Sequence, residues 1–159
     1  MVEATAPTIE RSDERPSGMF ARHSLYGLRL ASNFPIPGIS HREDPLDADV
    51  QIHLKEKSAH PAPVFSLPSE VFHSSPNLKA DGGYVFRASR FSDGSFGFFY
   101  GDGARFAVKS DGSEVWADGP ENYALEDTAT YLVGPVMGFV LRLRGSLPLH
   151  ACSVAIGDK

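Results

Sequence analysis

Residues 84–119 read YVFRASRFSDGSFGFFYGDGARFAVKSDGSEVWADG, and this stretch decides the fold. Four short runs rich in aromatic and β-branched residues occupy 84–91, 95–100, 104–108 and 114–117. They are separated by Asp93-Gly94, Asp102-Gly103 and Asp111-Gly112. Asp-Gly supplies the positive-φ backbone that tight hairpins require, so the spacing predicts an antiparallel β-meander. Asp118-Gly119-Pro120 closes it.

Downstream, Leu132, Val136, Val140 and Leu143 recur at helical spacing and predict one core helix over 125–142. Arg142 and Arg144 suit a helix C-terminus, with Gly145 as the stop. Pro135 predicts a kink, and Gly134 with Gly138 predict close packing on the sheet. Residues 147–156 are apolar on both alternating faces, the pattern of a buried central strand.

Upstream, 24–30 reads as one strand with Tyr26, Leu28 and Leu30 on one face, and 49–54 as another. Between them, the apolar residues of Phe34-Pro35-Ile36-Pro37-Gly38-Ile39 predict a loop packed on the core. The Pro-, Ser- and His-rich stretch 55–83 reads as a long loop with a short strand around Val71 and Phe72. Residues 1–19 lack an apolar period and read as a disordered tail. The fold class is therefore α+β, a β-rich domain over 20–159.

Composition narrows the function classes. A hydrophobic share of 42% supports a real core in one domain. The net charge of -5, without a cluster of basic residues, argues against a nucleic-acid partner. Cys152 is the single cysteine, so no internal disulfide forms and a reducing compartment is expected. Residues 1–20 lack the apolar core of a secretory signal, and the apolar run 131–141 is too short to span a bilayer. A cytoplasmic protein without a membrane partner is the expectation.

The chemistry-bearing patterns are incomplete. The Asp-Gly pairs lack the ligand spacing and closing Glu of a calcium loop, and hairpin turns account for them. Residues 103–110 approach the phosphate-binding G-x-x-x-x-G-K-[ST] loop, but Val108 stands where the second glycine belongs. Asp111-Gly112 then makes a turn where a helix should begin. His23, His41, His53, His60 and His73 sit in polar or Pro-rich contexts, without zinc-ligand spacing, and read as solvated. His150 lies within the apolar run; periodicity alone reads it as a core histidine with a satisfied hydrogen bond. Cys152 reads as a buried, inert thiol.

The string Arg144-Gly145-Ser146-Leu147-Pro148-Leu149-His150-Ala151, with the helix before it, resembles the HPr kinase-like family. So does the earlier pattern Tyr26-Gly27-Leu28-Arg29-Leu30-Ala31-Ser32 with Phe34-Pro35-Ile36-Pro37. The resemblance implies part of a nucleotide-binding core similar to phosphoenolpyruvate carboxykinase, transferring phosphate from ATP to a serine hydroxyl of a protein or peptide. It implies ATP and Mg2+ as cofactors of the complete protein, none of them bound by this chain alone. By position His150 matches the family histidine on the phosphate side. The P-loop and metal-binding carboxylates are expected beyond Lys159, so this chain alone is expected to be inactive. A non-catalytic module that binds a peptide or protein is the alternative, and homo-oligomerisation through uncovered strands is a further expectation.

Overall fold

The computed structural model describes residues 21–41, 47–55 and 62–149. Its strands are β1 (Ala21–Leu25), β2 (Leu28–Ser32), β3 (Val50–Leu54), β4 (Ser69–Ser74), β5 (Phe86–Phe91), β6 (Phe96–Tyr100), β7 (Arg105–Val108) and β8 (Glu114–Asp118). They form one sheet in the order β1-β2-β3-β8-β7-β6-β5-β4. A helix follows, in three parts: α1 (Leu125–Tyr131), a π-helical turn (Leu132–Val136) and α2 (Met137–Leu143). The fold is α+β, with a mostly antiparallel sheet and one helix of 19 residues.

The meander forms where the Asp-Gly pairs place it, with β5 to β8 paired antiparallel in sequence order. Only the glycines take positive φ, at 86° for Gly94, 101° for Gly103 and 70° for Gly112. Each aspartate instead turns its carboxylate onto the backbone two residues on. Oδ1 of Asp93, Asp102 and Asp111 accepts the amides of Ser95, Ala104 and Ser113 at 2.9, 3.1 and 2.9 Å.

The expected single strand over 24–30 is in fact a hairpin. Tyr26 and Gly27 lie at φ 54° and 79°, the two consecutive positive-φ residues that match the twist of paired strands. Leu25 and Leu28 face each other across this turn. The second expected strand is present as β3, but its place is unexpected. It inserts between β2 and β8 and runs parallel to both.

One face of the sheet receives the helix. Leu132, Val136, Met137 and Val140 are buried against Val50, Ile52, Phe106, Val108 and Val115. Phe106 is wholly buried, and such a side chain contributes roughly 1.5–3 kcal/mol relative to an exposed one. Pro135 has no N–H to give, and the helix accommodates it by widening into the π turn. The helix ends as its sequence predicts. Gly145 takes φ 80°, its amide donates to the Arg142 carbonyl, and the Ser146 amide donates to that of Leu141.

The expected close packing at Gly134 and Gly138 does not occur. A Cβ at either position would meet nothing within 4 Å, because both lie on the helix side turned away from the sheet.

The opposite face of the sheet is partly covered by residues read as loop. A 3-10 turn (Pro63–Ser66) packs Val64 and Phe65 onto Phe91, Ala107 and Trp116. The strand expected near Val71 and Phe72 is β4, an edge strand exposed along its whole length and bulged between Val71 and His73. The tail read over 1–19 lies outside the described residues, as does most of the buried strand read over 147–156. The described start of that segment carries no strand, and Leu147 and Leu149 are 75% and 77% exposed. Past the helix cap, no described strand lies beside these side chains to bury them.

Candidate functional site

The most developed site lies at the end of β8, on the sheet face opposite the helix. Asp118 is the last residue of β8, and its side chain is nearly buried. Arg105 of β7 faces it across the sheet and donates Nε and Nη2 to Oδ2 at 2.7 and 2.5 Å. Lys55, which continues β3 by donating its backbone N–H to the Ala117 carbonyl, brings Nζ to 3.1 Å from Oδ1. Removing a carboxylate from water is costly unless it is charge-paired and hydrogen-bonded, and here both oxygens are paired. The Arg105 guanidinium also lies over the Phe65 ring at 4.8 Å, which orients it and excludes water from one side.

This group forms the floor of an open cleft of about 420 Å³, walled by Tyr84, Phe99, Gly103 and Gly119. Two of the glycines are sterically required. A Cβ on Gly103 would stand 2.8 Å from Pro120, and one on Gly119 would stand 2.9 Å from the Thr128 hydroxyl.

A second cluster gathers tyrosines around Asp102. The Tyr131 hydroxyl donates to Oδ2 at 2.5 Å, Tyr123 bonds the same carboxylate, and the Tyr100 ring lies 4.1 Å from that of Tyr131. Burial raises the Asp102 pKa, but bonds from Tyr131, Ala104 and Tyr123 outweigh it and leave the carboxyl below its ordinary range. Tyr131 is pushed up to about 12, first by its bond to Asp102, and Tyr100 to about 12, first by burial. These hydroxyls remain protonated near neutrality. The Tyr131 hydroxyl acts as the donor that ties the helix to the β6–β7 turn, with no basic oxygen to offer.

The histidines divide differently from their sequence contexts. His23 is buried, not solvated: it is 2% exposed, and both ring nitrogens engage the 36–40 loop. His53 is half-buried, stacked on Trp116 at 5.5 Å, with Nε2 3.6 Å from Glu114. Burial lowers its pKa against the opposing pull of Glu114. His73 lies on the exposed β4 edge.

The near-match to a phosphate-binding loop folds as the β6–β7 turn and β7, with Val108 wholly buried. Its backbone amides therefore belong to the sheet and cannot curl round a phosphate. Each turn aspartate likewise commits its Oδ1 to a backbone amide. Among the described residues no group of His, Cys, Asp or Glu is arranged to hold a metal ion, and no helix is long and apolar enough to cross a membrane.

His150, the site residue read from the sequence, lies outside the described residues, as does Cys152. The Asp118 centre went unread because its three members are 50 and 13 residues apart in sequence, Lys55 to Arg105 and Arg105 to Asp118. Only the Asp-Gly turn between β7 and β8 hinted that Arg105 and Asp118 share a row. Comparison with protein-family models, with curated proteins and with solved structures gave no match.

Proposed function

We propose that this chain is the β-rich front part of an ATP-dependent serine kinase similar to the HPr kinase-like family, acting on a protein or peptide hydroxyl. The observation that supports it is how the Arg-Gly-x-Leu-Pro-Leu string leaves the helix. Gly145 caps the helix, and Leu147 and Leu149 then project 75% and 77% exposed, as apolar residues do when a further layer of sheet is to cover them. On this reading the nucleotide loop and metal carboxylates come from sequence that follows, and His150 acts on the phosphate side. Phosphoryl transfer rests on positioning phosphates and metal, with charge stabilised by groups held in place beforehand. ATP and Mg2+ would supply the transferred group and its counter-charge.

The test has two parts. The reading frame past residue 159 should contain a G-x-S-G-x-G-K-[ST] string within about twenty residues. In the complete protein, His150→Ala should lower ATP turnover by at least about a hundredfold while leaving the unfolding midpoint nearly unchanged. Unchanged turnover, or a variant that simply unfolds, returns His150 to the core.

The β4 edge favours a second reading, a non-catalytic module. Val71 and Phe72 are 48% and 55% exposed on a strand that, among the described residues, pairs on one side alone, and extended peptides add to such edges. The bulge at Val71 and His73 interrupts that edge and works against long pairing. A stop codon directly after residue 159 would support this reading over the kinase.

A further inference from the structure

The two edges of the sheet are finished differently. On the outer side of β1, His41 forms an antiparallel bridge with His23. On the outer side of β4, no described residue pairs. Every residue of β4 is exposed, Val71 and Phe72 among them, and the connection from β4 to β5 adds exposed Leu78 and Val85. Neither lysine nor proline, the residues that commonly blunt such an edge, occurs in the strand.

The bulge sets what this edge presents. Val71 stands opposite Ser89 but His73 opposite Ala88, so Phe72 is the extra residue. Phe72 touches the ring of Phe96 and His73 that of Phe86, and both of those rings pack on the helix-side core. Two consecutive side chains thus share the helix face, as a bulge allows. Glu70 lies on that face as well, opposite Arg90, whose guanidinium lies over Phe96. Ser69, Val71 and Ser74 lie on the other face, opposite Phe91, Ser89 and Arg87. Toward β5, the Pro68 carbonyl accepts the Ser92 amide, and the Ser75 amide donates to the Phe86 carbonyl. Alternation from these two ends turns the backbone groups of Glu70 and His73 inward and leaves those of Ser69, Val71 and Ser74 outward.

Such an edge is complementary to itself. Antiparallel pairing with a second copy, about a two-fold axis at Val71, sets Val71 against its own counterpart and Ser69 against Ser74, all on one face and all with outward backbone groups. It sets Glu70 against the bulged pair Phe72 and His73, on the helix face. The extra residue falls on one copy above the axis and on the other below it, so the two bulges balance and the strands stay in step at both ends. Glu70 makes no hydrogen bond or ion pair within the chain among the described residues, and the His73 ring offers its carboxylate an N–H donor.

We propose that the chain forms a two-fold dimer through β4, with one continuous sheet running across both copies. The same edge serves on each copy and β1 is bridged by His41, so the assembly closes at two. The dimer takes the edge that the peptide-binding reading would use, and it does not depend on the kinase reading.

Sedimentation velocity and amide exchange of the chain test this. The wild type should dimerise with a Kd on the order of 10 μM, as suits a small interface, and the amides of Ser69, Val71 and Ser74 should gain protection as the dimer forms. Val71→Lys sets two ammonium groups against each other at the axis and should weaken association about tenfold or more. His73→Glu should weaken it likewise by facing Glu70, and adding Glu70→Lys should restore it, which a misfolded variant could not do. A wild type still monomeric at about 1 mM overturns the proposal. If the β4 amides of that monomer shift with a synthetic peptide of residues 68–75, the edge belongs to an extended peptide instead. A dimer indifferent to both Val71→Lys and His73→Glu overturns the edge, and failure of Glu70→Lys to rescue His73→Glu overturns the register.

Discussion

The amide of Ile36 donates to Nε2 of His23 at 3.3 Å, while Nδ1 of the same ring stands 3.2 Å from the Ser40 carbonyl. An acceptor at Nε2 and a donor at Nδ1 define a neutral imidazole. One buried ring thereby pins the Ile36–Ile39 turn, at its first residue and just past its last, to the first hairpin.

Protonating that ring would set an N–H against the Ile36 amide. Burial already lowers the His23 pKa, with His41 adding to the effect and bonds to the loop backbone opposing it. Below the ordinary pKa near 6.5 the unfolded chain takes up a proton before the folded one does, so stability rises with pH across that window and falls on acidification. Urea unfolding of the wild type should therefore show a midpoint that drops as pH falls below 6.5. His23→Asn should be less stable at neutral pH and should show a flatter dependence. An unchanged slope would mean that other groups carry it, and half-buried His53, also lowered by burial, is the next to substitute.

Two glycine substitutions should move stability in opposite directions. A Cβ on Gly101 would stand 2.3 Å from the Tyr84 carbonyl oxygen, a backbone atom that cannot step aside. Gly101→Ala should cost about 2 kcal/mol or more in chemical denaturation. Gly138→Ala adds a methyl in open space on α2 and should gain roughly 0.5–1 kcal/mol. A loss at Gly138 would mean that something packs on that helix face in solution.

At acid pH the surface pair Arg29–Asp49 should matter in its turn. Asp49 accepts Nε and Nη2 of Arg29 together with its backbone amide, and the side-chain bond above all holds its carboxyl well below the usual carboxylate range. The depressed pKa places its stabilising effect above the ordinary carboxylate pKa and removes it as pH falls further. Asp49→Asn should lower the thermal midpoint at pH 7, and the gap to the wild type should narrow progressively as pH falls below the ordinary carboxylate pKa. A constant gap between the two curves would refute the linkage.

Asp118→Ala should be among the most destabilising single changes on the sheet face opposite the helix. It strips the shared partner from Arg105 and Lys55, whose side chains are only 33% and 20% exposed. With partial access to water, a loss of about 2–3 kcal/mol is expected, measured by denaturant unfolding. A double variant that also replaces Arg105 with Leu should recover part of the loss.

Local chemistry made the meander legible. Asp93-Gly94, Asp102-Gly103 and Asp111-Gly112 each carry within two residues both the positive-φ position and the oxygen that closes the turn. Tyr26-Gly27 was less legible because only the glycine announces the turn, and the tyrosine at φ 54° is an unusual occupant. The place of β3 had no local signal at all. Val50, Gln51, Ile52, His53 and Leu54 alternate as any strand would, and nothing in them says that both neighbours run parallel. The Asp118 centre follows from that placement, since Lys55 reaches Asp118 only because β3 lies beside β8. His150 rested on resemblance to a sequence string, and it lies outside the described residues.

The insertion of β3 also sets the order in which the chain can fold. The hairpins from β5 to β8 close short loops, which form within microseconds. Ile52 must find Val115 across about sixty residues of chain, and a pairing of such separation forms late because closing the loop costs entropy before the contact repays it. Until β3 arrives, one side of β8 is bare, and β1 and β2 have no sheet to join. Refolding should pass through a state in which the meander is protected from hydrogen exchange while Leu30 and Ile52 are not, and crowding during synthesis would act on that bare side first.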